Sequence, residues 1–189
     1  MSAQDSKLFV ISGPSGAGKG TLVTRVRERR SNLGLTVSAT TRAPRKDEVD
    51  GVNYFFLTRE EFDRRVANGE FVEWAEVHGN CYGTLVSEVT SKLASGSSLI
   101  LEIDVQGALQ VKERFPEAVL IFIKPPSLEV LRERLVGRGT ETPETIELRM
   151  ANAADELALA DHYDDVVVND DLDRATDELV RVLDMHERI

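Results

Sequence analysis

The residues best suited to chemistry stand together near the start of the chain, in the stretch KLFVISGPSGAGKGT. Gly13, Gly16, Gly18 and Gly20 surround Lys19, and residues 13–19 fit the spacing G-x-x-x-x-G-K. Glycines let backbone N–H groups turn inward and approach an anion closely. A lysine at that position reaches the outer phosphates of a nucleoside triphosphate. Gly20 stands where Ser or Thr would place a hydroxyl on Mg²⁺, and Thr21 comes one step later. The phosphate cradle is therefore complete, while the protein's own hold on the metal is not written in the loop. Such a cradle needs a buried strand before it and a helix after it. Leu8, Phe9, Val10 and Ile11 supply an apolar run of strand length. Leu22, Val23 and Val26 share one face of a helix expected to end near Ser31, and its N-terminus adds a positive dipole end.

Further along, short strands are expected at 35–39, 54–57, 71–77, 98–103, 119–123 and 165–168. Helices are expected from Thr58 to about Asn68, where T-R-E-E gives a capping-box pattern, and at 87–94, 106–114, from Ser127 to Gly137, from Pro143 to about Leu159, and from Leu172 to about His186. Asn80, Cys81, Tyr82, Gly83 and Thr84 read as a turn. Strands alternate with helices at both ends, which implies an α/β fold with a parallel sheet covered on two faces. The middle, about 41–96, is richer in strand and polar turn and reads as an insertion into that core.

Composition narrows the classes. The chain of 189 residues suits one domain, and its net charge of −10, without a long basic block, argues against nucleic-acid or membrane-surface binding. No apolar run approaches the ~20 residues of a membrane span, and the first residues show no signal-peptide pattern. The lone Cys81 excludes an internal disulfide and fits a reducing cytoplasm. His78, His162 and His186 form no ligand spacing with Cys81, so no residue is assigned as a metal ligand. In so acidic a chain, an anionic substrate must be met by local arginines. Arg42 and Arg45 flank Pro44 and either form a solvated loop or clamp one phosphate. Arg134, Arg138 and Arg149 either pair with Glu133, Glu141 or Glu147 or face one polyanion across a glycine-flanked bend.

Six stretches, in order, resemble the guanylate kinase family: GPSGAGKGT at Gly13, SATTRAPR at Ser38, EFVEWAEVHGNCYGT at Glu70, LEIDVQGA at Leu101, RLVGRGTET at Arg134 and VVVNDD at Val166. The resemblance implies a P-loop fold in three parts: a core sheet (1–40, 97–130 and 160–189), an inserted mixed α+β segment that binds GMP (41–96), and a helical lid (about 131–159). It implies ATP as phosphoryl donor with Mg²⁺. The ATP site would comprise Gly13, Pro14, Ser15, Gly16, Ala17, Gly18, Lys19, Gly20 and Thr21, with Asn169 near the adenine. Lys19, Arg42, Arg134, Arg138 and Arg149 would serve transfer. Ser38, Arg42, Arg45, Tyr54 and Tyr82 would meet GMP, while Glu73, Thr84 and Asp104 would read guanine. Glu102 departs from relatives that carry Asp there.

The chemistry fits these assignments. Guanine offers N1–H and an N2 amine on one edge, which carboxylates accept, and its O6 needs a donor such as Thr84 or Ser38. Adenine would turn a lone pair toward the same carboxylate. On local pattern alone, Glu73 is equally a strand carboxylate facing water, and Asp104 a helix N-cap or a holder of magnesium-bound water. Small-molecule partners, GMP and ATP, are therefore expected, with no nucleic acid and no membrane; monomer and homodimer both stay open. The alternatives are a non-catalytic interaction module of the same family, opposed by the intact loop, and a ribose-bisphosphate kinase, opposed by Glu73 and Asp104. An adenylate-type kinase, suggested by GKGT, is opposed by the inserted segment.

Overall fold

The computed structural model describes residues 6–77, 79–137 and 142–188. Its larger sheet has the order β2-β7-β1-β8-β9, with every neighbouring pair parallel. These strands are β1 (Leu8–Ser12), β2 (Gly34–Leu35), β7 (Leu99–Glu102), β8 (Val119–Lys124) and β9 (Asp165–Val168). Strand β1 lies between β7 and β8 and is buried throughout. Alternation therefore sorts its side chains between two apolar layers rather than between core and water. Phe9 and Ile11 face α1 (Lys19–Arg29) and α7 (Leu172–Glu187), packing with Leu22, Val26, Ala175 and Leu179. Leu8 and Val10 face the other way, toward α3 (Val86–Ala94) and α4 (Val105–Arg114), packing with Val89, Val105 and Val111.

A second sheet of four strands has the order β4-β3-β6-β5, formed by β3 (Ala39–Thr40), β4 (Phe55–Phe56), β5 (Phe71–Val77) and β6 (Asn80–Leu85). Helix α2 (Arg59–Ala67) covers one of its faces, where Phe62 stacks on Phe71 with ring centroids 4.3 Å apart. The Thr58 hydroxyl accepts from the Glu61 N–H at 3.1 Å and starts that helix, as its sequence pattern predicts.

Two sequence expectations are corrected here. The strand expected at 35–39 is split. Gly34 and Leu35 pair with β7 in the large sheet, whereas Ala39 and Thr40 pair with β4 and β6 in the small one. The chain crosses from core to insertion between them. The turn expected from Asn80 to Thr84 is strand β6, paired with β3 on one side and β5 on the other. Gly83 is there for close approach, not for turning. A methyl group on it would lie 2.7 Å from the Glu73 carbonyl oxygen and 2.8 Å from Trp74 Cβ. The positive φ of 77° that a turn requires belongs to Gly79.

Helices α5 (Leu128–Gly137) and α6 (Pro143–Ala158) pack on each other through Leu131, Leu135 and Ala153. Thr142 caps α6 by accepting from the Thr145 N–H at 3.3 Å, and Pro143 occupies its first turn.

Candidate active site

The site lies at the carboxyl ends of the parallel strands, where a twisted α/β sheet leaves a crevice. The chain leaves β1 at Ser12, enters the glycine-rich loop and starts α1 at Lys19. Gly18, the N-cap, has φ of 92° and no side chain to close the helix end, so the first N–H groups of α1 stay available to an anion. The Lys19 ammonium donates to the Gly13 carbonyl at 2.6 Å and to the Pro14 carbonyl at 3.1 Å.

The far side of the chain closes over this loop. Asn169 is buried, and its Nδ2 donates to the Ala17 carbonyl at 2.7 Å. Arg134 donates from Nη2 to the Asn169 carbonyl at 2.8 Å. Arg149 donates to Ser15 Oγ at 2.7 Å. Arg132 engages Glu147. Arg134 and Arg149 both reach the loop region, and Glu141, one of the glutamates weighed as a partner, lies outside the described residues. Arg138 lies outside the described residues. A cleft of about 480 Å³ opens beside the loop, lined by Gly16, Gly18, Thr21, Arg134, Asn169 and Asp170.

The second half of the site comes from the polar face of the small sheet. Glu73 is paired with Thr84 across β5 and β6. Ala39 pairs with Gly83, so Ser38 stands one step further, opposite Thr84. Glu73 and Thr84 thus lie side by side on β5 and β6, with Ser38 just ahead of β3. Glu73 is 9% exposed. Burial pushes its carboxyl above the usual carboxylate range, and the Asp104 charge adds to this. Thr84 is fully buried, and its hydroxyl completes no hydrogen bond of ordinary geometry among the described residues, although it lies close enough to pull Glu73 part of the way back.

Asp104 is the N-cap of α4 and accepts the Gly107 N–H through Oδ1 at 2.8 Å. A methyl group on Gly107 would sit 3.5 Å from both Asp104 Oδ1 and Glu73 Oε2, so the two carboxylates bracket that glycine.

Arg42, Tyr54 and Tyr82 are also brought together. The Arg42 guanidinium lies 5.4 Å from the Tyr54 ring centre, and the two tyrosine rings meet edge to face at 6.2 Å. The clamp expected of Arg42 and Arg45 differs in one respect. Arg42 is held by Glu48, and Arg45 joins them through its backbone N–H while its side chain is exposed. Sequence reasoning passed over Glu48; an acidic residue six positions after Arg42 in a basic turn was the available signal.

The metal position can also be tested. A methyl group on Gly20 would come within 3.5 Å of Glu102 Oε1 and 3.6 Å of Oε2. A carboxylate therefore stands beside the point where a loop hydroxyl is missing. Glu102 is solvent-accessible, yet the protein packed around its carboxyl pushes it up, with the Lys19 ammonium pulling partly back. No cluster of three His, Cys, Asp or Glu side chains that could hold a metal unaided occurs among the described residues.

The family model described as guanylate kinase matches residues 5–186. The chain belongs to the guanylate kinase family. It is 56% identical over 178 residues to a guanylate kinase of Gloeobacter violaceus, covering 94% of this chain and 87% of the relative. It is 51% identical over 183 residues to one of Halalkalibacterium halodurans, covering 97% and 90%. The crystal structure of guanylate kinase from Anaplasma phagocytophilum superposes with a TM-score of 0.72 at 36% identity, covering 96% of this chain and 86% of that one. The fold is accordingly the P-loop α/β fold of guanylate kinases, and no helix among the described residues is long and apolar enough to cross a membrane.

Proposed function

We propose that this chain transfers the γ-phosphoryl group of ATP to GMP, and to dGMP, yielding ADP and GDP for purine nucleotide metabolism in the cytoplasm. The observation that carries this reading is the row Glu73, Thr84 and Ser38 facing Asp104, a set of acceptors and donors matching the edge of guanine, with Thr84 fully buried beside Glu73. It stands beside a phosphate loop that Lys19, Arg134 and Arg149 all contact.

In this reading Arg42, Arg45, Tyr54 and Tyr82 take the GMP phosphate. One of its oxygens attacks the γ-phosphorus in line. A bond forms between them as the bond from phosphorus to the bridging β–γ oxygen breaks, and ADP leaves with the electron pair. The attacking oxygen is already anionic near neutral pH, so no general base is required. Catalysis is then positioning plus charge stabilisation. Lys19, Arg134, Arg138 and Arg149 supply positive charge around the transferring group. The loop N–H groups hold the flanking phosphates, and Asn169 borders the adenine. Glu102, beside Gly20, and Thr21 are the residues that would hold Mg²⁺ together with the nucleotide. When bound, that ion neutralises phosphate charge. Residues 131–159 act as the lid and 41–96 as the GMP-binding segment, and closing them excludes water from the γ-phosphate. Monomer and homodimer alike keep both pockets within one chain.

The test is ADP release with ATP·Mg²⁺ and a panel of GMP, dGMP, AMP, UMP, CMP and ribose 1,5-bisphosphate. Turnover confined to GMP and dGMP is expected. Turnover with AMP or the ribose bisphosphate would overturn base reading by Glu73 and Asp104. No turnover with any acceptor, in folded protein, would favour an interaction module.

A further inference from the structure

The Arg42 pocket already contains an anion, and it belongs to the chain. Arg42 Nη2 donates to both oxygens of Glu48, at 2.8 and 2.9 Å, and the Arg45 backbone N–H donates to Oε2 at 2.8 Å. Arg42 Nη1 is turned to the Ala43 carbonyl at 2.7 Å. The guanidinium is pinned from the side by the rings of Tyr54 and Phe56, at 5.4 and 5.9 Å. The ion pair is largely withdrawn from water, with 19% and 16% of the two side chains exposed. The hydrogen bond from Arg42 holds the Glu48 carboxyl below the usual range, so it is ionised at neutral pH. Glu48 thus makes the contacts a phosphate oxygen would make: one charged guanidinium and one backbone N–H.

We propose that Glu48 is a built-in surrogate ligand that occupies the phosphate subsite of the acceptor nucleotide until a base-read phosphate displaces it. A phosphate dianion cannot share Arg42 with a carboxylate at contact distance without strong repulsion. The carboxylate must therefore give up part of its hold before the subsite can be used. That displacement lowers the affinity of every anion by the same factor. An anion with no other contacts is thereby refused, whereas one tethered to guanine recovers the loss through Glu73, Thr84 and Asp104. Glu48 is an affinity-setting residue in this scheme: it leaves the ratio between nucleotides unchanged and keeps a weakly held anion such as free phosphate from filling the subsite. The inference rests on the reading above that Arg42 and its neighbours receive the acceptor phosphate.

The experiment is a titration of the full chain with inorganic phosphate, followed by ³¹P line broadening, for the wild type, E48Q, R42Q and the double variant. Glutamine keeps the shape and an acceptor for the Arg45 N–H while removing the charge. E48Q is expected to bind phosphate about tenfold more tightly, the difference between a charged and a neutral competitor, and the gain is expected to vanish in the double variant. Thermal unfolding without ligand reports that each variant is folded. E48D, one methylene shorter, is expected to show a smaller gain in the same direction. Equal or weaker phosphate binding by folded E48Q and E48D would overturn the proposal. If R42Q then still raises the GMP KM, the subsite reading survives and only the role of Glu48 is lost. If R42Q leaves the GMP dependence unchanged, the subsite reading fails and takes this inference with it.

Discussion

Replacing Glu73 by glutamine should make the protein more stable and less active. Glu73 is 9% exposed on β5, and burial raises its carboxyl above the usual range. A carboxyl raised in the folded state stabilises that state only while it is protonated. The contribution is fully present below the ordinary carboxylate range and is lost as pH rises through the folded value. At neutral pH the buried charge therefore works against folding, and Glu73→Gln removes it without changing volume. A gain of about 0.5–2 kcal/mol is expected, of the size seen when a functional site is relaxed. For a chain of this length, each kcal/mol moves Tm by about 2–4 °C. The gain should fade on acidification, as the wild-type carboxyl becomes neutral too. Activity moves the other way. Guanine presents two donors to this edge, and the amide of glutamine accepts one while turning its own N–H₂ toward the other. One lost charged hydrogen bond and one unpaired donor amount to about 2–4 kcal/mol. That corresponds to roughly 30- to 10³-fold in kcat/KM for GMP, with the KM for ATP unchanged. Steady-state kinetics in both substrates and thermal unfolding between neutral and acidic pH measure both effects. Unchanged GMP dependence would remove Glu73 from base reading. A lowered Tm at neutral pH would show that its charge supports the fold instead.

Two further outcomes test other parts of the site. Lys19→Ala should lower kcat by about 10³-fold or more, the scale of losing one cation at a transferring phosphoryl group; circular dichroism should show the fold kept, and wild-type turnover would exclude Lys19 from the chemistry. Gly83→Ala should destabilise by about 1–3 kcal/mol as an overpacked contact, because its methyl would press on the Glu73 carbonyl and on Phe71. It should also raise the GMP KM by shifting Glu73, and an unchanged Tm would contradict the tight β5–β6 pairing.

How far the sequence discloses this molecule depends on which physical signal each part carries. The parallel core is legible because its strands are buried on both faces and read as unbroken apolar runs, as in Leu8 to Ile11. The phosphate loop is legible because its spacing is imposed by the ligand. The small sheet is less so. Strand β6 carries Asn80 and Gly83, residue types that favour turns when judged locally. What makes it a strand is tertiary: pairing on both edges, with a glycine only because β5 presses against it. The expected strand at 35–39 fails for a related reason, since local pattern cannot show that two adjacent short segments join different sheets. Glu48 leaves only a faint sequence signal, an acid in a basic turn, because its partner is fixed by how the loop from Thr41 folds back, not by periodicity.

Asp104 shows why a bland and a functional reading need not compete. From sequence it is a helix N-cap, a holder of magnesium-bound water or a reader of guanine. The structure makes it an N-cap: Oδ1 accepts from Gly107 N–H, and α4 begins there. That bond consumes one lone pair of one oxygen and leaves the rest of the carboxylate to a ligand. It also fixes the side-chain direction, so that the carboxylate meets Glu73 across Gly107 rather than rotating into solvent. A carboxylate that must present an oxygen to a planar base needs its rotamer held, and a helix terminus holds it with a backbone donor that cannot move away. The cap is thus the means by which the site is positioned. The same economy governs Asn169, whose hydrogen bond to the Ala17 carbonyl ties the end of β9 to the phosphate loop, and Thr84, whose strand pairing with Glu73 sets the spacing of the two side chains. In each case a secondary-structure contact, worth about 1 kcal/mol or less in stability, does the more demanding work of fixing a functional group's direction.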